Sequence, residues 1–516
     1  MIDLTPLLRR YARFRIQQLQ RADPVQEQRR TLERLLTRAA GTRFGRDHHF
    51  ARLKDMAAFQ RAVPIRKYED FWRTYWQPAF PRLEDVSWPG LIPFIALSSG
   101  TTSGVTKYLP VSDEMVRSNR DAAREILVHH LNNRPQSRIF GGRTFMLGGS
   151  TALDTEADGV LSGDLSAIGV RTMPFWARPF SFPPRELALL SDWETKLKRL
   201  APASLEVDVR AISGIPSWLL LFFDQLFALH PDRPHRLAAF YPNLELLVHG
   251  GITFAPYQRT FEALLEGSHA ELREVYPASE GFFAVADRAQ GEGLRLLTDR
   301  GVFYEFVPVD ELGAAEPTRH TVADLEPGTN YAIVVSTCAG LFAYMVGDTV
   351  RFLERDPPRL VVTGRTSYTL SAFGEHLTGE EVEAAVTEAA EAVGLSLADF
   401  AVGPVFPAGQ GERGRHLFIV ESRAGMLDAK QLEALAGALD RALSATNADY
   451  QAHRAEGFGL DPPEVVAMPP GGFEAWMRAR GQLGGQHKVP RIVNDPELFD
   501  DLRGFVRGPQ APPAGG

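Results

Sequence analysis

Short apolar runs alternate with helical patterns through the middle of this chain, and this alternation restricts its fold more than any other feature. Residues 91–97, 244–249 and 331–336 are apolar runs of strand length, and residues 112–130 follow the first of them with a helical pattern. Elements in this order are typical of α/β proteins. Because 516 residues are too many for one hydrophobic core, we expect two or more domains.

A break in the pattern predicts where the domains divide. The alternation stops at Asp356-Pro357-Pro358 and then restarts. Beyond the break, strands are predicted at residues 360–363 and 418–421, and helices at residues 378–393 and 427–443. We therefore predict a large domain of residues 1–355 and a smaller α+β domain of residues 356–516.

Charge and cysteine content exclude several classes of protein. The chain has 56 basic and 64 acidic residues and a net charge of -8, without the basic excess of a nucleic-acid-binding protein. Its single cysteine, Cys338, cannot form an internal disulfide or a cysteine-rich zinc site, which suits the reducing cytoplasm.

Residues 4–40 form an arginine-rich helical pattern that is typical of a solvated face. The apolar stretch 218–223 is too short to cross a membrane. We expect a cytoplasmic protein without nucleic-acid or membrane partners.

A segment rich in serine, threonine and glycine follows the first apolar run. Residues 98–107 read Ser-Ser-Gly-Thr-Thr-Ser-Gly-Val-Thr-Lys. The glycines let backbone N–H groups converge on an anion, the hydroxyls add donors, and Lys107 adds a positive charge. Three residues separate Gly100 from Gly104, whereas the P-loop motif requires four, with lysine directly after the second glycine. The segment predicts a polyphosphate site that is not a P-loop; a flexible loop is the alternative.

The same string resembles the phosphate-binding signature of the adenylate-forming superfamily. More specifically, it resembles the Gretchen Hagen family of acyl-acid amido synthetases, which is known from auxin-responsive plant genes and is also found in bacteria. The other segments that fit this family, in order, are residues 42–50, 63–68, 276–281, 301–308 and 347–348. The resemblance covers most of the chain, and we expect a bacterial member of the family.

The resemblance implies roles for the first two signatures. The phosphates of ATP would lie against Lys107 and six residues of the loop, namely Ser98, Ser99, Gly100, Thr101, Thr102 and Gly104. In the segment Tyr276-Pro277-Ala278-Ser279-Glu280-Gly281, Tyr276 would pack on adenine and Ser279 would reach the α-phosphate or the acyl carboxylate. Glu280 would hold Mg²⁺, which needs only one or two protein carboxylates beside phosphate oxygens.

Four further positions complete the implied site. Gly250, in His249-Gly250-Gly251, would lie near the adenine edge, with a plain glycine turn as the alternative. Asp348 would accept hydrogen bonds from both ribose hydroxyls, although the arginine that plant relatives usually carry just before Gly347 is replaced here by residues 343–345. Arg365 would contact ribose or phosphate. Lys488 would deliver positive charge to the departing pyrophosphate, with Arg491 as the fallback.

These expectations define one function and two alternatives. The implied fold is α/β, with a large N-terminal adenylate-forming domain of mixed sheets and packed helices and a smaller mobile C-terminal domain. The chain would use ATP and Mg²⁺ to adenylate a carboxylic acid and would pass the acyl group to an amine, an amino acid being expected. The acid would bind between residues 112–130 and 213–218, although Trp218 is better explained as core packing. The alternatives are an acyl-CoA ligase and a non-catalytic nucleotide-binding protein.

Overall fold

A computed structural model gives the fold over most of the chain. The described residues are 3–99, 106–148, 153–188, 190, 193–251, 254, 257–366, 370, 377, 379–405, 414–447, 450–451, 454, 460–480, 482 and 488–506. They form two compact units. The first takes in the described residues up to Ser99 and Thr106–Val362, and the second takes in those from Thr363 onward.

The first unit begins with two helices where one continuous helical pattern is predicted. Helix α1 is Thr5–Arg21 and helix α2 is Pro24–Ala39. The chain breaks between them because Pro24 has no backbone N–H to extend α1, and because the Asp23 side chain accepts the N–H groups of Val25 and Gln26 to start α2. Three short helices follow: α3, Arg43–Asp47; α4, Met56–Ala62; and α5, Tyr68–Phe71.

A four-stranded sheet in the order β2-β1-β5-β4 carries the predicted phosphate segment. Its strands are β1, Phe94–Ser99; β2, Thr106–Val111; β4, Leu153–Ala157; and β5, Val160–Gly163. The strand predicted at residues 91–97 is therefore shifted toward the C-terminus. Ser98 and Ser99 belong to β1 because they continue its antiparallel pairing with β2.

The centre of the first unit is an eleven-stranded mixed sheet in the order β12-β13-β14-β15-β11-β10-β9-β8-β7-β3-β6. Its strands are β3, Arg143–Leu147; β6, Ser181–Phe182; β7, Val209–Gly214; β8, Leu246–Gly250; β9, Glu271–Ala278; β10, Gly281–Val285; β11, Leu294–Leu296; β12, Val302–Pro308; β13, Asn330–Thr337; β14, Tyr344–Arg355; and β15, Pro358–Arg365. Strands β3, β6, β7, β8 and β9 are parallel neighbours, and the remaining neighbours whose pairing is described are antiparallel. The prediction of an α/β fold with mixed sheets is confirmed.

The other helices of the first unit pack on both faces of this sheet or, in the case of α7, against β1 of the four-stranded sheet. They are α6, Asp113–Asn133; α7, Leu165–Arg171; α8, Arg185–Ala188; α9, Trp193–Leu205; α10, Pro216–Leu229; and α11, Gln258–Leu264. On one face, α6 packs against α1 and β10. On the other, α10 buries Trp218, Leu219 and Phe222 in a cluster with Phe145 of β3, so Trp218 is a core residue as the apolar pattern indicated. None of the helices in the described ranges is both long and apolar enough to cross a bilayer.

The proline break predicted as a domain boundary is a hairpin turn. Asp356 and Pro357 form the turn between β14 and β15, which are neighbours in the large sheet. Proline ends β14 because it cannot donate a ladder hydrogen bond, and the chain then turns back to continue the same sheet. The compact units divide a few residues later, after Val362.

The second unit is a small α+β arrangement. A three-stranded sheet contains β16, Leu397–Val405; β17, Arg415–Ser422; and β18, Glu464–Ala467. Helices α12, Gly379–Ala392, and α13, Ala429–Thr446, pack together over one cluster of this unit, and Asp428 caps α13 in a capping box with Gln431. Two further helices, Gly472–Ala479 and Pro496–Val506, enclose a second apolar cluster that contains Trp476.

Candidate active site

The predicted phosphate segment is the connection of a β-hairpin. Ser98 pairs with Lys107 and Ser99 with Thr106, so the last described residues of β1 and β2 lie side by side. The connecting residues, among them the predicted Gly100, Thr101, Thr102 and Gly104, lie outside the described residues. The pairing therefore places the two ends of the predicted phosphate segment side by side.

Lys107 lies over an aromatic ring at the base of this hairpin. Its Nζ is 5.6 Å from the centroid of the Tyr68 ring. The Tyr68 hydroxyl in turn accepts the backbone N–H of Tyr108 at 2.9 Å, and burial raises the pKa of Tyr68 to about 12. Because the phenol stays neutral, it holds the ammonium through its ring face and leaves the charge of Lys107 uncompensated by that residue. Helix α5, which carries Tyr68, therefore positions a cation at the C-terminal end of the predicted phosphate segment.

Tyr276 and Asp348 meet directly. The Tyr276 hydroxyl donates a hydrogen bond of 2.7 Å to the Oδ2 of Asp348, and each residue is only 6% exposed. The Tyr276 ring packs edge-on against Phe283, with the centroids 5.1 Å apart. The structure thus brings together two predicted nucleotide residues that are 72 positions apart in the chain, and it fixes the orientation of the carboxylate. Their roles on adenine and ribose stay predictions.

A bulge in β14 directs Asp348 toward Tyr276. The register with β13 shifts between Met345 and Thr349, where the strand carries extra residues. Gly347, at the centre of this stretch, has a φ of +95°, which a residue with a Cβ adopts only under strain. The glycine before the aspartate is therefore required by the backbone, and bulges of this kind re-aim a neighbouring side chain.

The residues that replace the usual arginine of plant relatives have backbone roles. Ala343 is buried with a φ of +46°, its N–H donates to the Ser336 hydroxyl at 2.9 Å, and its carbonyl accepts the N–H of Arg66 at the same distance. Met345 donates its N–H to the carbonyl of Arg66, also at 2.9 Å. These bonds hold the strained residue in place and tie residues 343–345 to the segment that leads into α5.

Glu280 lies in the turn between β9 and β10. Ser279 and Glu280 form this two-residue turn, which is closed by the pair Ala278–Gly281, and Glu280 is buried. Burial, and after it the charge of Glu280, hold the pKa of Tyr344 well above its ordinary value. The Tyr344 phenol therefore stays neutral near the carboxylate that is predicted to hold Mg²⁺, and its hydroxyl is buried without a hydrogen-bond partner among the described atoms.

Helix α5 contacts the surroundings of both charged groups, Lys107 and Glu280. Tyr68 at its start lies under Lys107, and Phe71 at its end packs on Tyr344, with ring centroids 5.9 Å apart. Tyr68 and Tyr344 were not assigned roles from the sequence. The signal that could have identified Tyr68 is its place in the Val63-Pro64 segment that fits the family, whereas Tyr344 lies in a run of apolar residues and has no local signal.

Gly250 is needed within the sheet itself. It ends β8 in register with Val275 of β9, and a Cβ placed on it would lie 2.3 Å from the Val275 carbonyl oxygen. The close approach that requires glycine at this position is therefore to a neighbouring strand. Contact between Gly250 and adenine stays a prediction.

The second unit carries the remaining predicted residues, Arg365 and Lys488, both of them exposed. Arg491, the fallback for Lys488, is engaged elsewhere. It forms a salt bridge with Asp399, donates to the Phe400 carbonyl at 3.0 Å, and lies 4.5 Å over the Phe400 ring. Arg491 therefore anchors its segment to β16, and the role of Lys488 stays a prediction.

The described residues do not build a metal site from protein ligands alone. No group of three or more histidine, cysteine, aspartate or glutamate side chains able to hold a metal ion is found in the described ranges. A site with one buried carboxylate suits an ion that takes most of its ligands from phosphate and water, as Mg²⁺ does. Glu280 fits that requirement.

Comparisons with solved structures show which fold the chain adopts. The structure superposes on the AtGH3.15 acyl acid amido synthetase in complex with 2,4-DB with a TM-score of 0.78 at 19% identity, over 95% of each chain. It also superposes on a 2-hydroxyisobutyryl-CoA ligase in the postadenylation state with a TM-score of 0.58 at 16% identity, over 93% of this chain and 91% of that chain. The fold is that of the adenylate-forming enzymes.

Family models identify the group within this class. Those of the GH3 family N-terminal, central and C-terminal domains match residues 14–199, 295–365 and 380–497. The chain belongs to the GH3 family, which is the Gretchen Hagen family, and the resemblance drawn from the sequence is confirmed.

Curated relatives in plants support the same family. The indole-3-acetic acid-amido synthetase GH3.8 of Oryza sativa subsp. indica is 27% identical over 288 residues, which are 52% of this chain and 46% of that protein. The jasmonoyl–L-amino acid synthetase JAR4 of Nicotiana attenuata is 23% identical over 451 residues, covering 73% of this chain and 76% of that protein. The match spans about half the length of GH3.8, and a bacterial source stays a prediction.

Proposed function

We propose that this protein is an ATP-dependent acyl-acid amido synthetase, which adenylates a carboxylic acid and transfers the acyl group to an amine, an amino acid being the expected acceptor. The observation that carries the proposal is the Tyr276–Asp348 hydrogen bond, formed beside the turn of Glu280 and within the unit that also holds Lys107. Names of relatives support an amide product, because GH3.8 is named an indole-3-acetic acid-amido synthetase and JAR4 a jasmonoyl–L-amino acid synthetase.

In the first step, a carboxylate oxygen of the acid bonds to the α-phosphorus of ATP, and the bond from that phosphorus to the β-phosphate oxygen breaks to release pyrophosphate. Asp348 and Tyr276 would hold the nucleoside, and Lys107 with the hairpin segment would neutralise the phosphates. Mg²⁺ held by Glu280 would supply positive charge to the phosphate oxygens. Lys488 would add charge where pyrophosphate departs.

In the second step, the amine nitrogen bonds to the acyl carbon, the bond to the AMP oxygen breaks, and the nitrogen loses a proton. Residues 1–355 would form the adenylation domain with the ATP and acyl sites, and residues 356–516 would form the mobile domain that carries Lys488. Closure around the adenylate would protect it from water.

A cytoplasmic location is supported by the single cysteine, Cys338, which is buried.

The proposal is tested by two measurements on the purified chain. Exchange of labelled pyrophosphate into ATP is measured with a panel of aryl and alkyl acids, and AMP release is then measured with each active acid plus either CoA or a set of amino acids. We expect acid-dependent exchange and amide products identified by mass spectrometry.

Each other outcome identifies one alternative. Turnover with CoA and no amide product would make the protein an acyl-CoA ligase, whose fold it shares. ATP binding without exchange for any acid would favour a non-catalytic nucleotide-binding protein. An Asp348→Ala variant serves as the negative control, because it removes the carboxylate proposed to hold the ribose.

A further inference from the structure

Exposed apolar side chains are concentrated in two segments of the first unit, far along the chain from each other. Six of the twelve large apolar side chains that are exposed in the described ranges belong to these segments: Leu4, Leu7, Tyr11, Phe14, Phe175 and Trp176. Leu7 and Phe175 are the most exposed of the twelve, at 70% and 80%. Scattered exposed apolar residues are ordinary, but a concentration of them marks a surface that binds another molecule.

Helix α1 carries two apolar stripes. Leu8, Ala12 and Ile16 pack into the cluster that α1 shares with α6 and β10. The second stripe has the same three- and four-residue spacing but lies roughly 100° around the helix, where it is exposed; it consists of Leu4, Leu7, Tyr11 and Phe14. The outer side of α1 is therefore apolar as well as basic.

The second segment is a tight turn with two aromatic residues at its tip. The N–H of Ala177 donates to the carbonyl of Pro174 at 3.0 Å, which closes a four-residue turn. Phe175 and Trp176 are the two central residues of this turn, and both are exposed. The turn therefore presents two large rings to the outside of the unit.

Both segments are attached to the same short 3-10 helix, Ile139–Gly141. The N–H of Phe140 donates to the Thr5 hydroxyl at 3.0 Å, and its carbonyl accepts the N–H of Leu4 at 3.4 Å. The Phe140 ring also packs on the ring of Phe180, which lies just beyond the turn, with centroids 5.3 Å apart. The start of α1 and the aromatic turn are therefore neighbours, and we call their exposed residues the α1–turn surface.

This surface is strongly basic in an acidic protein. Residues 4–22 and 165–185 together contain eight arginines and no aspartate or glutamate, although the whole chain has a net charge of -8. Arg15 is neutralised by Glu125 and Asp299. Four others are exposed and pair with no carboxylate in the described part of the chain, namely Arg10, Arg13, Arg171 and Arg178. Their charge attracts an anionic partner.

The combination of groups favours an anionic lipid surface as that partner. Leucine and phenylalanine on one side of a helix, with arginines beside them, are typical of helices that lie in a membrane interface, where aromatic rings are also enriched. The apolar groups protrude from a helix and a turn tip, which suits a soft surface better than the shape-matched face of a protein. A second copy of the chain would place arginine against arginine, and Leu4 and Leu7 have no rings to stack on nucleic-acid bases.

We propose that the α1–turn surface docks this protein on membranes rich in anionic lipids. The arginines would pair with lipid phosphates while the apolar side chains enter the boundary between headgroups and acyl chains. A helix that lies on a membrane needs no segment long enough to cross it. The proposal goes beyond the proposed enzymatic function and does not depend on it, and it replaces the expectation that residues 4–40 present only a solvated face.

The test is flotation of the full chain with large unilamellar vesicles. Vesicles of phosphatidylcholine with about one third phosphatidylglycerol are compared with vesicles of phosphatidylcholine alone. We expect binding to the anionic vesicles to be about tenfold or more tighter than to the neutral ones, and to weaken as salt is raised from about 0.05 to 0.5 M, because salt screens the arginines.

Three double variants probe the two kinds of contact. Arg10→Gln with Arg13→Gln should weaken binding to the anionic vesicles about 10- to 30-fold. Leu7→Ser with Phe14→Ser, and separately Phe175→Ser with Trp176→Ser, should each weaken it about tenfold or more, because the apolar groups no longer leave water.

The matched control is Leu221→Ser with Leu229→Ser. Both leucines are exposed on α10, which has no basic residue, and this variant should bind as the parent does. All the substituted positions are exposed and lie outside the proposed nucleotide residues, so urea unfolding and pyrophosphate exchange should be unchanged in every variant. If one double variant fails to fold, the other two carry the test.

Several results would overturn the proposal. These are no binding to the anionic vesicles, equal binding to the neutral ones, full binding by either apolar double variant, or an equal loss in the control. Binding of an acidic amphipathic peptide or of oligouridine RNA, with vesicles unbound, would assign the surface to a protein or a nucleic acid instead. A dimer that dissociates in Leu7→Ser with Phe14→Ser, again with vesicles unbound, would assign it to a second copy of the chain.

Discussion

The hydrogen bond between Tyr276 and Asp348 gives the sharpest prediction. Replacing Tyr276 by phenylalanine removes only the hydroxyl, while the ring keeps its edge-on contact with Phe283. Asp348 is 6% exposed, so water cannot readily replace the lost donor. A hydrogen bond to a charged group contributes about 1.5–3 kcal/mol. If the bond orients the carboxylate for the ribose, ATP affinity should fall roughly 10- to 150-fold.

A double-mutant cycle isolates this contact. ATP affinity is measured by calorimetry for Tyr276→Phe, Asp348→Asn and the double variant, and we expect a coupling free energy of about 1.5–3 kcal/mol between the two sites. Tyr331→Phe is the matched control. It removes a buried phenol that accepts the N–H of Glu326 in the same unit, and it should lower stability without changing ATP affinity. A Tyr276→Phe variant with ATP affinity within twofold of the parent would refute the orienting role.

Three other perturbations follow from the structure. Gly347→Ala places a Cβ at a φ of +95° and should lower the free energy of unfolding by about 1–2 kcal/mol, as measured by urea unfolding. The variant should also bind ATP more weakly in calorimetry. A variant as stable as the parent would argue against the bulge. Burial opposes ionisation of Glu271, but hydrogen bonds from His130 and Arg134 outweigh it and lower the pKa of Glu271 to about 2. Glu271→Gln should therefore cost about 2–3 kcal/mol of stability at pH 7, a difference that shrinks as the pH falls from about 4.5 toward 2 in urea titrations. Lys488→Ala should slow pyrophosphate exchange about 100-fold at unchanged stability. Arg491→Ala should instead destabilise its unit, because it loses the salt bridge with Asp399. An unchanged exchange rate in Lys488→Ala would exclude this lysine from the adenylation step.

Parts of the site were predictable because their signals are local. A glycine-rich segment between two strand patterns, a Ser-Glu turn and a Gly-Asp pair each occupy a few consecutive residues, and the structure gives Gly347 a physical reason in its left-handed φ. The strand ends were less accurate. The first strand extends to Ser99 because its length is set by pairing with β2, and a partner strand is not visible in a local window.

Other features had no local signal. The break at Pro357 marks equally well a hairpin turn or a domain boundary, since proline ends a strand in either case. Glu274 and Tyr344 are an isolated acid and an isolated phenol in strand-like sequence. They become informative only when strand pairing places Glu274 beside His249, and when packing brings Tyr344 near Glu280.

The sequence by itself determined the family, the α/β fold class and the list of groups that a nucleotide site needs, because these depend on residue type and on spacing along the chain. The tertiary structure alone decided which of those groups meet. It joined Tyr276 to Asp348 across 72 residues, and it assigned Arg491 to Asp399 instead of a ligand. Such contacts depend on strand register and burial, which arise only when distant segments pack together.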